Sequence, residues 1–459
     1  MKFRQNLKFG TSGVRGIVGE SLTPRLTSAL AAAFGRYVGV GRVLVGRDTR
    51  PSGEMFEHSV VAGLLSVGCQ PVLLGVVPTP TLQLMVIEAK ASGGIGITAS
   101  HNPGEWNALK LIGRNGTFLD ELEAGELFDV YNQNDFNPCR ESELRTMWRM
   151  EDAFATHQKR IFANIDVEAI RKHRFKVAID CCNGVGAVYS RAFLEELGCE
   201  VYAIHEEPSG VFERVPEPLP EHLGALCKLV RSKKCHIGFA QDPDGDRLSV
   251  VDDTGTALPT HYSLLMTADH VLGEHPGPIV ANIQTSMNLE EIASTYGCEV
   301  AYAKVGEINV VGKMIEIGAE FGGEGNCGGV IWRRVTPGRD SFITMALLLE
   351  MLAMCRERVS DIVADLDHYS TMSVKFPCPP STAREIVREM TSRYAERRLM
   401  TIDGLRINYN DGWALIRPSN TEPVLRLTVE ALSQERTEAF IKRFEAELKE
   451  LLDQFNQTP

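Results

Sequence analysis

Residues 42–74 read RVLVGRDTRPSGEMFEHSVVAGLLSVGCQPVLL. A short apolar run rich in Val opens this stretch, a polar loop and a segment of helical length follow, and a second apolar run comes after Gly68-Cys69. Short apolar runs of this kind predict buried strands, and the segment between them has the spacing of a helix. The stretch therefore predicts a β-α-β unit with two parallel strands.

The same layout occurs twice more in the chain, at residues 176–204 and 278–303. In both copies Gly-Cys again precedes the second apolar run, as Gly198-Cys199 and Gly297-Cys298. Such units recur in large α/β proteins for architectural reasons alone, and the Gly can simply end a helix. We interpret the three copies as related α/β domains with mixed, largely parallel sheets.

The chain after residue 368 has a different pattern. Residues 369–376 and 405–416 are predicted to be strands, and residues 381–398 and 433–455 helices, so this part predicts a smaller α+β domain. The Pro-rich stretch 207–220 predicts an irregular surface loop. Linkers are expected near residues 135–138, 252–256 and 365–369, which divides the chain into domains at 1–150, 151–255, 256–367 and 368–459.

The composition is that of a water-soluble globular protein: of 459 residues, 44% are apolar and 24% charged. The net charge of −12 argues against nucleic acid as a partner, because a phosphate polymer would be repelled. There is neither a signal-type apolar segment near Met1 nor any run of about 18 apolar residues, so we expect a cytoplasmic protein that does not enter a membrane. The eleven Cys lack zinc-site spacing and are expected to be reduced.

The sharpest chemical signal is Asp242-Pro243-Asp244-Gly245-Asp246-Arg247, at the end of a predicted strand. Three carboxylates at alternate positions in a bent loop can converge on one point, where a cation must offset their repulsion. Oxygen ligands favour Mg²⁺ or Ca²⁺ over Zn²⁺. An EF-hand is excluded, because Arg247 stands where that loop needs Gly and Asp253 where it needs Glu. A solvated acidic turn is the weaker alternative.

Ser100 lies in the segment Thr98-Ala99-Ser100-His101-Asn102-Pro103, where a strand of small residues runs into a turn. A Ser-His pair for acyl transfer is not supported, because neighbouring side chains on a strand point to opposite faces and no Gly-x-Ser-x-Gly elbow is present. A phosphorylated Ser100 would carry a charge of about −1.5 to −2 and need a nearby cation. Taken alone, Ser100 is better explained as an ordinary turn residue and His101 as an ordinary hydrogen-bonded side chain.

Three further segments contain candidate anion-binding groups. Arg15 stands in a Gly-rich opening and Lys110 follows Ser100 closely, although each alone is typical of a solvated side chain. Residues 417–426 read RPSNTEPVLR, which combines hydroxyl and amide side chains with arginines that can hold a phosphate dianion. A capped turn is the alternative interpretation.

The segment 322–329, GGEGNCGG, matches neither a P-loop nor a dinucleotide fingerprint. Glu324 and Asn326 could instead form hydrogen bonds with the vicinal hydroxyls of a sugar. As an isolated motif this is weak evidence.

These segments, in this order, resemble those of the α-D-phosphohexomutase family, which includes phosphoglucomutases, phosphomannomutases and phosphoglucosamine mutases. The resemblance covers nearly the whole chain and is most specific at residues 98–103, 242–247 and 417–423. It implies four domains around a central cleft, three of them related α/β domains and the fourth a smaller α+β domain.

The resemblance also implies residue roles. Ser100 would be the phosphoserine, and one Mg²⁺ per subunit would bind its phosphate and Asp242, Asp244 and Asp246. The implied catalytic residues are Ser100, Lys110, Arg15, His101 and Arg247, with Lys110 assisting proton transfer. The implied substrate-binding residues are Glu324, Asn326, Lys304, Gly306 and Glu307, and the implied phosphate-binding residues are Arg417, Ser419, Asn420, Thr421 and Arg426.

The implied reaction moves phosphate between C6 and C1 of a hexose through a 1,6-bisphosphate, which also serves as activator. A hinge near residues 365–370 would let the fourth domain move while the intermediate reorients. The partner is a small sugar phosphate, and the protein is expected to be a monomer or homodimer. A metal-dependent sugar phosphatase and, less favoured, a non-catalytic sugar-phosphate sensor are the alternatives.

Two sequence features bear on the substrate. The segment 322–329, called the sugar segment below, has Gly-Asn followed by further glycines, similar to archaeal-type members of the family. Glu307 follows Gly306 where dual-specificity phosphomannomutases have His, and an acid here resembles phosphoglucosamine mutases. An acid could favour an ammonium at C2, so glucosamine phosphate is the preferred substrate, with phosphomannomutase/phosphoglucomutase activity as the alternative. Ala108 replaces the usual Gly before Lys110.

Overall fold

The computed structural model describes residues 8–10, 13–366, 369–419 and 423–456. This part of the chain forms four sheets, each with its own helices, and we number the domains in chain order. The four-domain α/β architecture predicted from the sequence is confirmed. Within the described residues, no helix is long and apolar enough to span a bilayer.

The first domain has a seven-stranded mixed sheet in the order β1-β2-β6-β5-β3-β4-β7. Its elements are β1 Lys8–Gly10, β2 Gly13–Ile17, α1 Pro24–Tyr37, β3 Arg42–Arg47, α2 Gly53–Ser66, β4 Gln70–Val76, α3 Thr79–Glu88, β5 Gly93–Ile97, β6 Trp106–Gly113, α4 Glu121–Asn132 and β7 Trp148–Arg149. The predicted unit β3-α2-β4 is present with parallel strands. However, β1, β2, β6 and β5 pair antiparallel, so this sheet is less parallel than expected.

The second and third domains have four-stranded sheets with the same plan, three parallel strands and one antiparallel edge strand. The second contains α5 Ala153–Phe162, α6 Val167–His173, β8 Lys176–Asp180, α7 Gly186–Glu196, β9 Glu200–Ile204, α8 Gly224–Lys233, β10 Ile237–Gln241 and β11 Leu248–Val251. The third contains α9 Tyr262–Glu274, β12 Ile279–Asn282, α10 Asn288–Thr295, β13 Val300–Ala303, α11 Glu307–Ile317, β14 Phe321–Glu324, β15 Gly329–Trp332, α12 Ser341–Cys355 and α13 Val359–Leu366. Both predicted β-α-β units are therefore present, as β8-α7-β9 and β12-α10-β13.

One hydrophobic core extends through both of these domains, because α12, which is apolar on all sides, packs against helices of the second domain as well as its own. The predicted linker at residues 252–256 is a compact turn. It is closed by the Asp252 carboxylate, which accepts hydrogen bonds from the backbone N–H groups of Thr254 and Thr256.

The fourth domain has a five-stranded antiparallel sheet in the order β16-β20-β19-β18-β17. Its elements are β16 Ser370–Pro377, α14 Pro380–Arg393, β17 Arg398–Met400, β18 Leu405–Tyr409, β19 Gly412–Pro418, β20 Val424–Ala431 and α15 Gln434–Asn456. The predicted strand 405–416 is in fact a hairpin, and the predicted helix 381–398 ends at Arg393. The strand β20 was not predicted.

The third and fourth domains meet through a buried contact. Trp413 and Leu415 pack on Ile283, and the Arg406 guanidinium donates a hydrogen bond to the Ile283 carbonyl at 2.9 Å. The expected hinge at residues 365–370 begins in the last turn of α13, and its residues Asp367 and His368 lie outside the described residues.

Candidate active site

Asp242, Asp244 and Asp246 converge in the turn between β10 and β11. All three side chains are buried, and each offers one carboxylate oxygen within 4.8 Å of the others. The turn is tight because Gly245 takes a left-handed φ of +70°. Its would-be Cβ lies only 3.0 Å from Val185, so a larger residue would crowd this contact.

The acidic trio has the properties of a cation site. Oδ1 of Asp244 and Oδ1 of Asp246 are buried and accept no hydrogen bond. Burial, followed by the charges of Asp244 and Asp246, raises the pKa of Asp242 well above its usual range. Buried carboxylate oxygens without partners are costly unless a cation compensates them, so these residues fit a hard divalent metal ion.

Two side chains of opposite charge already donate hydrogen bonds to the trio. Lys110 on β6 donates from Nζ to Asp244 Oδ2 at 2.6 Å and to Asp246 Oδ2 at 3.1 Å. Arg339 donates from Nη2 to Asp246 Oδ2 at 2.8 Å. Although burial lowers the pKa of Lys110, the two carboxylates outweigh it and raise that pKa above its usual value, so the side chain is an ammonium.

Ser100 faces the trio across the boundary between the first and second domains. Its Oγ donates to Asp242 Oδ2 at 2.8 Å and lies 3.3 Å from His101 Nδ1. The expectation that Ser100 and His101 point to opposite faces was wrong, because β5 ends at Ile97 and Ser100 has a left-handed φ of +50°. The strand alternation therefore does not apply here.

Arginines lie around residues 98–105, the loop between β5 and β6 that contains Ser100 and is called the serine loop below. Arg15 on β2 donates from Nη1 to Asn102 Oδ1 at 2.5 Å. Arg247 is buried with its Nε 3.7 Å from Asp246 Oδ1 and donates from Nη1 to Glu217 Oε1 at 3.1 Å. Burial, then the charges of Arg247 and Arg15, lower the pKa of His101 well below its usual value, so its imidazole is neutral.

The sugar segment lies at the end of β14. Glu324 is buried and accepts hydrogen bonds from Asn282 Nδ2 at 3.0 Å and from the Gly306 N–H at 2.6 Å. Asn326 is exposed and accepts from Asn282 Nδ2. The structure thus brings Glu324, Asn326 and Gly306 together, while Lys304 is exposed nearby on the chain.

Glu307 is the first residue of α11 and is buried. Its Oε1 accepts from Gln83 at 2.9 Å and its Oε2 lies 3.1 Å from Arg339 Nε. Burial raises the pKa of this carboxyl to about 7. The carboxyl is therefore directed toward a protein arginine and a protein amide.

Arg339 is a residue of this site that the sequence did not indicate. Besides Asp246 and Glu307, its guanidinium binds Glu324 Oε2 at 2.7 Å, so one buried side chain joins the acidic trio to the sugar segment. Nothing in the local pattern around Pro337-Gly338-Arg339 separates it from a solvated arginine.

The residues predicted to bind phosphate lie where β19 ends and β20 begins in the fourth sheet. Arg417 and Arg426 are direct cross-strand neighbours there. Arg417 donates from Nε to Asp403 Oδ2 at 2.8 Å, and the same oxygen accepts from the Val305 N–H at 3.0 Å. The Ser419 N–H bonds to the Val424 carbonyl. Asn420 and Thr421 lie outside the described residues. Asp403 thus links Arg417, one of the predicted phosphate-binding residues, to Val305, the residue before Gly306.

Comparison with known proteins decides the family. Sequence profiles of the phosphoglucomutase/phosphomannomutase α/β/α domains I, II and III match residues 6–138, 152–255 and 259–369, and that of the C-terminal domain matches 374–447. The chain belongs to the phosphoglucomutase/phosphomannomutase family. Members of this family are intramolecular phosphotransferases, a class of isomerase, and the chain is an enzyme of this class. The resemblance to the phosphohexomutases is therefore confirmed.

Individual family members are similar over their full length. A phosphoglucomutase/phosphomannomutase of Thermococcus kodakarensis is 36% identical, covering 95% of this chain and 96% of its own. A probable phosphoglucosamine mutase of Methanopyrus kandleri is 35% identical, covering 93% and 94%. The crystal structure of a family protein from Burkholderia thailandensis superposes with a TM-score of 0.85 at 27% identity, covering 96% and 97%.

Proposed function

We propose that this enzyme interconverts hexose 6-phosphates and hexose 1-phosphates through a phosphoserine at position 100 and a hexose 1,6-bisphosphate. The observation that carries the proposal is the 2.8 Å hydrogen bond from Ser100 Oγ to Asp242, inside a buried trio in which two carboxylate oxygens accept no hydrogen bond. A phosphoryl group on Ser100 would lie among Arg15, Arg247 and Lys110, whose positive charges stabilise the charge developed during transfer.

In the first half-reaction, the bond between phosphorus and Ser100 Oγ breaks as a new bond forms from phosphorus to the free hydroxyl oxygen of the hexose phosphate. The hydroxyl proton passes to Ser100 Oγ, and Lys110 assists this transfer. The second half-reaction runs in reverse at the other end of the reoriented bisphosphate. Asp242, Asp244 and Asp246 would hold Mg²⁺ together with Ser100, and the bound ion would supply positive charge at the phosphoryl group.

Glu324 and Asn326 are proposed to hold the sugar hydroxyls, and Arg417, Ser419, Asn420, Thr421 and Arg426 the phosphate that does not react. The carboxylate of Asp403 supports these two assignments. It binds Arg417 and the Val305 N–H, and so connects the proposed phosphate-binding residues of the fourth domain to the third domain. The bisphosphate can reorient within the cleft if the fourth domain moves at the proposed hinge while that domain keeps one of the two phosphates bound.

Glucosamine phosphate is the proposed substrate. What supports this choice is the acid after Gly306, together with a relative named as a probable phosphoglucosamine mutase at 35% identity. The Glu307 carboxyl forms an ion pair with Arg339. It would therefore favour the ammonium group of the substrate by offsetting the positive charge of Arg339, and not by direct contact.

The substrate proposal is tested by supplying glucosamine, glucose and mannose 6-phosphates separately, each with Mg²⁺ and a trace of the matching 1,6-bisphosphate. We expect kcat/KM for formation of the 1-phosphate to be at least about tenfold higher for glucosamine, which corresponds to about 1.4 kcal/mol of discrimination. Equal efficiency on all three sugars would contradict the preference. Net release of inorganic phosphate would instead indicate a phosphatase.

Replacing Arg417 with Gln tests the proposed phosphate-binding residues. Loss of a charge-assisted contact of about 1.5–3 kcal/mol predicts a KM for the hexose phosphate that is roughly 10- to 100-fold higher, with a smaller change in kcat. The matched control is Arg398→Gln, which removes an exposed arginine from β17 of the same sheet and should leave KM unchanged. If Arg417→Gln leaves KM as unchanged as Arg398→Gln does, the proposed phosphate contact is wrong.

A further inference from the structure

Arg50, in the loop between β3 and α2, is completely buried where the first domain meets the second. Its side chain is inaccessible to solvent, and all five of its N–H donors are used. Nε bonds to Asp48 Oδ2 at 3.0 Å, and the four remaining donors bond to backbone carbonyls of the serine loop and of Trp106, the first residue of β6. These carbonyls are those of Ser100 at 2.7 Å, Asn102 at 2.6 Å, Pro103 at 2.7 Å and Trp106 at 3.1 Å.

The carboxylate of Asp48 also holds the serine loop, through the hydroxyl of Thr98. Its Oδ2 accepts from Thr98 Oγ1 at 2.6 Å, and Thr98 Oγ1 in turn accepts from the Ser100 N–H at 3.0 Å. The ion pair of Arg50 with Asp48 therefore fixes both the N–H and the C=O of Ser100. A left-handed conformation is costly for a residue other than Gly, and it persists only where the surroundings enforce it.

Held in this way, Ser100 directs its carbonyl toward Arg50 and its Oγ toward Asp242. The second domain also contacts this position. The ring of Phe212 lies 4.8 Å from the Arg50 guanidinium carbon, and Thr49 Oγ1 donates to the Asn183 carbonyl at 2.8 Å. Within the Pro-rich stretch 207–220, Phe212 thus packs on Arg50 and Glu217 binds Arg247.

We propose that Arg50 is a positioning residue of the phosphotransfer reaction, which sets the backbone of Ser100 so that its Oγ faces the acidic trio. This inference rests on the proposed function of Ser100. A lysine cannot replace it, because an ammonium has three donors and lacks the planar fork that reaches four carbonyls at once. Arg50 contacts neither the trio nor the proposed sugar-binding residues, so its effect is on alignment alone.

The test compares Arg50→Lys with the isosteric Thr98→Val, and uses the exposed Arg36→Lys as control. Three quantities are measured: the rate at which glucose 1,6-bisphosphate phosphorylates Ser100, followed by mass spectrometry; kcat and KM for the hexose phosphate; and the rise in unfolding temperature caused by Mg²⁺. For Arg50→Lys we expect phosphorylation and kcat to fall by about 100-fold, as for a misplacement of about 1 Å, with KM within about threefold. Thr98→Val should show the same pattern at about tenfold, because it loses one of the two contacts.

The Mg²⁺ shift should persist in both variants, which a general loss of structure would not allow. Should Arg50→Lys fail to fold, Thr98→Val decides alone, since it removes a single hydroxyl. Phosphorylation at the wild-type rate in the folded variants, or parallel loss of the Mg²⁺ shift and a rise in KM, would overturn the inference. Failure of the wild-type enzyme itself to become phosphorylated would instead contradict the proposed function.

Discussion

Ser100→Ala is expected to abolish isomerisation, with kcat reduced by roughly 10⁴-fold or more, the scale on which covalent nucleophiles act. Ser100 Oγ donates to Asp242 Oδ2 at 2.8 Å, and alanine leaves no oxygen at this position to carry the phosphoryl group. The loss should be measured as formation of hexose 1-phosphate in the presence of Mg²⁺ and bisphosphate.

The matched control is Ser232→Ala, which removes an exposed hydroxyl that bonds only to the Leu229 carbonyl. This variant should turn over at the wild-type rate. Incubation with glucose 1,6-bisphosphate should add one phosphate to the wild-type enzyme and none to Ser100→Ala. Isomerisation that survives in Ser100→Ala would refute the phosphoserine mechanism, and phosphate release that survives there would favour the phosphatase alternative.

Removal of the metal is expected to have an effect of similar size. Chelation should reduce isomerisation at least about 100-fold, and added Mg²⁺ should restore it. Because a ligand that binds only the folded state stabilises it by about 2.7 kcal/mol at 100 times its Kd, Mg²⁺ should also raise the unfolding temperature. Asp242→Asn should lose both effects, since the trio then lacks one of its ionised ligands.

Asp242→Asn is nevertheless not expected to destabilise the metal-free protein. Burial and the neighbouring carboxylates raise the pKa of Asp242, so its ionised form opposes folding at neutral pH, above the pKa of an unfolded Asp. The amide removes that charge, and the metal-free unfolding temperature should stay the same or rise. The exposed Asp135→Asn serves as control. A full Mg²⁺ shift in Asp242→Asn would exclude the trio as the metal site.

Much of the fold could be predicted because it depends on local patterns. Each β-α-β unit brings its own strands, helix and turn within about 30 residues, and all three have the expected parallel pairing. The antiparallel half of the first sheet could not be predicted in this way. Its β6 inserts between β2 and β5, which precede it in the chain, and this pairing is set by long-range packing.

The same distinction separates the site residues. The acidic trio was evident because its members lie within five positions of one another, and a turn must bring them together. Arg339 and Arg50 were not evident, because neither has a local pattern that differs from a surface arginine. Their roles come from contacts with residues such as Asp246, 93 positions away, and Ser100, 50 positions away.

The amino-acid sequence by itself determined the three β-α-β units, the loop of three aspartates, the presence of Ser100 in a turn and the family to which these segments belong. Only the tertiary structure decided that Ser100 adopts a left-handed conformation facing Asp242, and that the buried Arg339 and Arg50 join segments far apart in the chain. The physical reason is that periodicity and turn chemistry act between near neighbours. Burial, by contrast, forces charged groups from distant parts of the chain to satisfy one another.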